Sequence, residues 1–279
     1  MRRCAPPAGA PTTSRRPGPV AVDRDTVDLD TVDLDTVASS SLLVEEVVSM
    51  TTTGQESGAA GQTEAVRTLK GLADARPSVR LGAALAAGAH PDPRYVGTLI
   101  ERCASEPEFF VRDTLTWALT RHPVSLTLPG LLRALRSEHA QARSQALHTL
   151  SKIGDRGAWP SLTRALLADA EDEVARSAWR AAVVLVPEGE EPALAAALAT
   201  QLGRGERETQ LSLSRALVAL GEVIVPELLA AEAAPDPRVR AHALATRQLL
   251  RDPDTGFGYA VEEAKRVVAL GGSEPEGGL

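Results

Sequence analysis

One short phrase recurs along this chain at a step of about 32 residues. An acidic or turn-forming residue and a small apolar residue precede an arginine, and an alanine- and leucine-rich stretch follows. The arginine stands at Arg80, Arg112, Arg143, Arg176 and Arg240, and Gln210 fills the slot between the last two. A repeat of this length is an architectural unit, because one helix pair cannot bury its own apolar face and must stack on a copy of itself. The sequence therefore predicts an all-α fold, an α-solenoid of about six helix pairs.

Each unit divides into a first helix, a turn and a second helix. Proline recurs at Pro129, Pro160, Pro192 and Pro226, with Leu131, Leu162, Leu194 and Leu228 two positions later. Proline suits the first helical position, where its missing N–H has no intrahelical partner, so these prolines are expected to start first helices. Second helices open at the arginine phrase. Sorting positions by the 100° helical step places Val79, Val111, Ala142, Ala175 and Val239 on one stripe. Ala83, Leu115, Ala146, Trp179, Leu213 and Ala243 follow on the same stripe, then Leu119, Leu150, Val183 and Leu217. Small residues at its centre let helices approach closely, which suits a chain with only 3% aromatic residues.

An acid precedes the arginine by four residues in three units: Glu108 with Arg112, Asp172 with Arg176, and Asp236 with Arg240. That order favours a side-chain pair and the helix dipole. The arginines and these acids are read as a structural ladder that fixes register between units, not as a ligand site.

Outside the repeats, residues 1–61 are rich in Pro, Thr, Ser, Gly and Asp and carry no helical period, the composition of a disordered arm. Within it runs Asp25-Thr26-Val27-Asp28-Leu29, then Asp30-Thr31-Val32-Asp33-Leu34, then Asp35-Thr36-Val37, a pattern either able to dock a partner or simply low in complexity. Met50 offers an alternative translation start, which an intact-mass measurement would identify. The solenoid is expected over 62–252. Phe257, Ala260, Val261, Ala264, Val267 and Val268 then recur at helical spacing, predicting a capping helix within 253–271, before a loose tail at 272–279.

The phrases Pro77-Ser78-Val79-Arg80, Phe110-Val111-Arg112 and Asp236-Pro237-Arg238-Val239-Arg240 resemble HEAT repeats, as do Trp159-Pro160-Ser161-Leu162 and Val225-Pro226-Glu227-Leu228. The short form found in phycobilisome-lyase-like HEAT proteins is the type they match. The resemblance runs from about Glu64 to Arg251. It implies an interaction scaffold, a right-handed superhelix with second helices on the concave side, and a ladder of Asp and Arg between neighbours. Arg76 in place of an acid, and Gln210 after the longer Gly203-Arg204-Gly205 turn, depart from the pattern.

The face opposite the predicted core collects Asp113, Trp117 and Thr120, then Ser144, His148 and Ser151, then Arg215 and Gln248. Trp117, His148 and Arg215 head the candidate partner-binding residues, because a tryptophan among polar groups is a common interface anchor. Trp179 lies on the core stripe, and Trp159 beside Pro160 reads as a staple where a helix begins. His90, His122, His139, His148 and His242 lack metal-ligand spacing, and Cys4 and Cys103 indicate neither a disulfide framework nor a metal site. No catalytic residue, cofactor or metal is expected.

The alternatives are enzymatic or nucleic-acid-directed. The Glu138-His139 pair is similar to those of a HEAT-type deoxyhypusine hydroxylase, whose di-iron site takes four Glu-His pairs, but this chain has that one pair only. A HEAT-like alkylpurine DNA glycosylase, which uses tryptophans and an aspartate in a basic cleft, would draw on Trp117, Trp179 and Asp113. The net charge of -7 and the isolation of Arg180, Arg215 and Arg121 disfavour it. A lyase role would follow only from the name of the repeat type. The sequence-level expectation is a cytoplasmic, monomeric, non-enzymatic scaffold or adaptor that binds another protein, with no membrane span.

Overall fold

The computed structural model describes residues 57–253 and 256–271. The expected arm up to residue 56 and the tail at 272–279 lie outside the described residues. Twelve segments pair off along the chain. The first helices are α1 (Ser57–Leu72), α3 (Tyr95–Ser105), α5 (Val124–Ala134), α7 (Arg164–Leu167), α9 (Glu191–Ala199) and α11 (Val225–Glu232). The second helices are α2 (Pro77–Ala89), α4 (Phe109–Thr120), α6 (Ala140–Ile153), α8 (Asp172–Leu185), α10 (Arg207–Ala219) and α12 (Pro237–Arg251). A final helix, α13 (Phe257–Gly271), follows. The result is the all-α solenoid that the repeat predicted.

Local chemistry sets the boundaries. Pro77, Pro192, Pro226 and Pro237 occupy the first turns of α2, α9, α11 and α12, where no backbone donor is needed. The Asp236 carboxylate caps α12 by accepting the Arg238 N–H at 2.8 Å. Two of the four expected helix-starting prolines behave differently. Pro129 lies inside α5, with both it and Ser125 exposed, so the backbone bond its ring forgoes faces solvent. Pro160 sits within a 3-10 helix, Arg156–Ser161, which replaces most of the first helix of the fourth unit and leaves α7 a single turn.

The core runs continuously through the stack. Ala84, Ala118, Ala178, Ala181, Ala216 and Ala243 are fully buried among Leu115, Leu119, Leu147, Leu150, Leu185, Leu213 and Leu217. Val79, Val183 and Val239 of the expected stripe are only half-buried. Each second helix packs on the next more extensively than the matching first helices do. The second helices therefore form one continuous layer of the stack.

Hydroxyl groups recur in that seam. Thr116 meets Thr149 at 3.3 Å, Ser144 meets Ser177 at 3.0 Å, and Ser214 meets Thr246 at 2.7 Å. Each joins neighbouring second helices, and pairing satisfies polar groups that small-residue packing has removed from water. His242, also buried, accepts the Gly203 N–H through Nδ1, so its proton sits on Nε2 and goes to the Gln210 carbonyl, both at 3.0 Å. Burial lowers its pKa to about 4, against the opposing bond to Gln210.

At the C-terminal end, Phe257, Ala260 and Ala264 of α13 cover Ala241, Ala245 and Leu249 of α12. The outer side of α13 carries the Glu262–Lys265 and Glu263–Arg266 pairs, so the helix closes that end of the core.

Candidate functional site: the second-helix face

The arginine slot holds the second helices in place by a different set of bonds from the expected one. Arg80 Nη1 donates to the carbonyls of Asp74 and Ala75, Arg112 to those of Glu106 and Pro107, Arg143 to those of Ser137 and Glu138, and Arg240 to those of Ala234 and Pro235. In these four units the slot thus ties the turn after the first helix to the second helix, giving two turn carbonyls a donor. Gln210 repeats part of this with a 3.1 Å bond to the Gly205 carbonyl. Among the described ion pairs, none joins a slot arginine to the acid four residues before it. Asp172 instead accepts Arg204 and Thr209, and Asp236 serves as a cap.

Between units, the guanidinium of Arg80 grips Glu106 with two 2.7 Å bonds, and that of Arg143 grips Asp169 at 2.9 and 3.0 Å. Arg176 lies 3.8 Å from Glu208. In the fifth unit Arg204 takes over, reaching back to Asp172 at 2.9 Å and to the Asp169 carbonyl. Its turn needs glycine on both sides. Gly203 and Gly205 have φ of 81° and 67°, and a Cβ at Gly205 would meet Thr209 at 2.7 Å and the Asp172 carboxylate at 2.8 Å.

The candidate binding residues do not form one cluster. Trp117 on α4 and His148 on α6 lie on adjacent second helices, and both are half-buried, while Arg215 on α10 is exposed beyond the intervening α8. Asp113 and Ser151 are half-buried and Gln248 is exposed. Ser144 is buried, because its hydroxyl belongs to the seam with Ser177. Burial raises the pKa of Asp113, while the positive charge of Lys152 acts in the opposite sense.

Trp117 rests on Gly88 of the preceding second helix. A Cβ at Gly88 would lie 2.2 Å from the indole. Gly88→Ala is therefore expected to cost about 1–3 kcal/mol by overpacking, with the Trp117 ring displaced toward solvent. Urea unfolding and the wavelength of tryptophan emission check this. Unchanged stability would mean that the ring is not held against Gly88.

Charge is partitioned along these helices. Beyond the arginine slot, the second helices carry Lys152, Arg180, Arg215, Arg247 and Arg251 against one acid, Asp113. Their acids gather at the opening turns: Glu108, Glu171, Asp172, Glu173, Glu206, Glu208 and Asp236. Arg247 is engaged with Glu232 of α11. Sequence reading also passed over Phe109 and Phe110, which are 56% and 71% exposed and meet edge to face at 5.7 Å. They are two of only three phenylalanines in the chain, standing at an opening turn where other units place small or polar residues.

Among the described residues, no group of three or more His, Cys, Asp or Glu side chains is placed to hold a metal ion. Cys103 is buried, and burial pushes its thiol up to about 12, partly offset by a hydrogen bond from Thr116. A pocket between α5 and α7 is walled by the Arg143–Asp169 pair, whose charges already satisfy each other. Among the described residues, no helix is long and apolar enough to cross a membrane.

Residues 111–183 match the family model of HEAT repeats. The match supports reading these residues as HEAT repeats. No curated protein matches the sequence. Among solved structures, the crystal structure of an engineered protein is similar at 18% identity, with a TM-score of 0.39 over 71% of this chain and 96% of that one.

Proposed function

We propose that this helical scaffold is a non-enzymatic adaptor that binds another protein along the inner face of its second helices. The observation that carries the reading is the contrast across those helices: an alanine-lined seam on one side, and Trp117, His148 and Arg215 on the other. Large side chains on an otherwise small-residue surface supply contact area and directional bonds, the qualities of interface anchors. The reading places the protein in the cytoplasm as a monomer, where the free Cys103 needs no oxidised partner.

The test replaces Trp117, His148 and Arg215 together by alanine and compares affinity capture from native cytoplasm with that of the parent chain. Partners recovered by the parent are expected to fall at least about tenfold, the equivalent of losing one interface anchor of about 1.4 kcal/mol. Unfolding curves of the two chains confirm that the fold is retained. Partners that survive the triple replacement undiminished would remove this face from consideration.

A further inference from the structure

We infer that the edge where the second helices begin carries a docking site of its own, separate from the face that bears Trp117. Phe109 and Phe110 form its anchor, and Glu108, Glu138, Glu171 and Glu173 its rim. Its ligand is an extended basic segment of a partner protein, with one apolar side chain seated on the paired rings.

The rings are not part of the core. Phe109 and Phe110 belong to neither hydrophobic cluster; they rest on each other, and the Arg112 guanidinium stands 5.9 Å from the Phe109 centroid. Phe110 is left the more open of the two. The same two slots hold Pro77 and Ser78 in the unit before, and Ala140 and Gln141 in the unit after. The repeat itself therefore does not ask for rings at this turn.

Area and charge choose the occupant. Two rings exposed to this degree offer roughly 200–300 Å², whereas a stable pair of domains buries about 1,200 Å² or more. A second copy would also set an identical row of acids against this one. A short segment anchored by a single apolar side chain fits the area. Its charge follows from the rim. Glu108, Glu138, Glu171 and Glu173 are exposed at the turns that open α4, α6 and α8, and none of the described ion pairs takes them in. The cations beside them are engaged: Arg76 with Asp74, Arg80 and Arg102 with Glu106, and Arg112 with two turn carbonyls. The complementary positive charge comes from the partner.

Spacing sets the register. The helices α4, α6 and α8 pack in succession. Neighbouring axes lie roughly 8–10 Å apart, and three residues of extended chain cover about 10 Å. A basic residue at every third position thus meets successive acids, and an apolar residue between two of them reaches the rings.

The probe is a fluorescein-labelled peptide, Lys-Ser-Leu-Lys-Ser-Gly-Lys-Ser-Gly, titrated by anisotropy into the full chain. Phe109→Ala together with Phe110→Ala is expected to weaken its binding about tenfold or more. Glu138→Gln, Glu171→Gln and Glu173→Gln together should weaken it several-fold and flatten its dependence on sodium chloride between about 0.05 and 0.5 M. All five side chains are exposed, so urea unfolding curves should match the parent's. A peptide of the same composition with its three lysines adjacent is expected to bind several-fold more weakly. Equal binding by the parent and the aromatic variant overturns the proposal, as does equal binding of the two peptides. Replacing Trp117, His148 and Arg215 should leave the peptide's affinity unchanged; a loss there moves the peptide to that face and overturns the edge site, while the proposed function stands. A photo-crosslinking benzoylphenylalanine at position 110 reports the occupant directly. Capture of the peptide supports the site, whereas capture of a second copy, or of residues 1–56, in the peptide's presence overturns it.

Discussion

Glu106→Ala is expected to destabilise the fold by about 3–5 kcal/mol, enough to consume much of the stability of a domain this size. Glu106 ends α3 with its side chain fully buried, and Arg80 above it is only 4% exposed. Its carboxylate accepts two bonds from Arg80, one from Arg102 at 2.9 Å and one from the Glu108 N–H at 3.0 Å. Its carbonyl accepts Arg112 and, from the third unit, Gln141 at 2.8 Å. Three units thus meet at one residue. Removing the carboxylate leaves a buried guanidinium with no counter-charge, and such a loss costs far more than an exposed pair ever contributes.

The pH dependence follows. Burial pushes the Glu106 pKa up, but the bonds from Arg80, Glu108 and Arg102 outweigh it and hold the group at about 2, below its ordinary 4.5. A carboxyl depressed in the folded state binds protons less readily than in the unfolded chain. Its contribution is therefore complete above about 4.5 and disappears as pH falls toward 2. Urea unfolding of parent and variant at pH 7 and pH 3 tests both statements: the gap between them should be large at 7 and smaller at 3. A gap below about 1 kcal/mol at pH 7 would show that Arg80 is solvated after all.

Glu106 also shows where sequence reading stops. The helix pairs, the core stripe and the closing helix were legible, since each rests on a local period or on proline and glycine chemistry. The arginine slot was legible as a repeated position, but its partners were not. A helical period relates residues three or four apart, whereas Arg80 finds Glu106 and Arg143 finds Asp169 only after two units have stacked. Two of the acids at minus four, Asp172 and Asp236, were nearer in sequence and proved to be spent elsewhere. The hydroxyl seam could have been found. Thr116 and Thr149, Ser144 and Ser177, and Ser214 and Thr246 recur at the repeat step, a polar signal within an apolar pattern. Reading Ser144 from the helical angle alone put it on the open face, because the angle says nothing of how closely the next helix approaches. The charge partition was equally visible in the sequence, but it acquires meaning only once the second helices are known to share one side.

Trp179→Ala is expected to cost about 3–5 kcal/mol. Trp179 is the largest fully buried side chain, and it lies where the stack is least regular. The fourth unit has lost most of its first helix, and what remains is the single turn α7. The indole N–H donates to the Leu167 carbonyl at the end of that turn, at 2.8 Å, and so ties it to α8. On its other side, the guanidinium of Arg204 stands 6.0 Å from the ring centroid while binding Asp172 and the Asp169 carbonyl. One ring therefore fills volume, satisfies a terminal carbonyl and supports an inter-unit bridge that runs backwards. Trp179→Phe separates these roles. It keeps most of the apolar volume but leaves the Leu167 carbonyl without its donor, for an expected cost of about 1–3 kcal/mol. Chemical denaturation of both variants decides the matter, with fluorescence from Trp117 and Trp159 still available as a probe. If phenylalanine proves as damaging as alanine, the hydrogen bond to Leu167 dominates; if it proves neutral, the volume alone matters and the short turn holds itself in place.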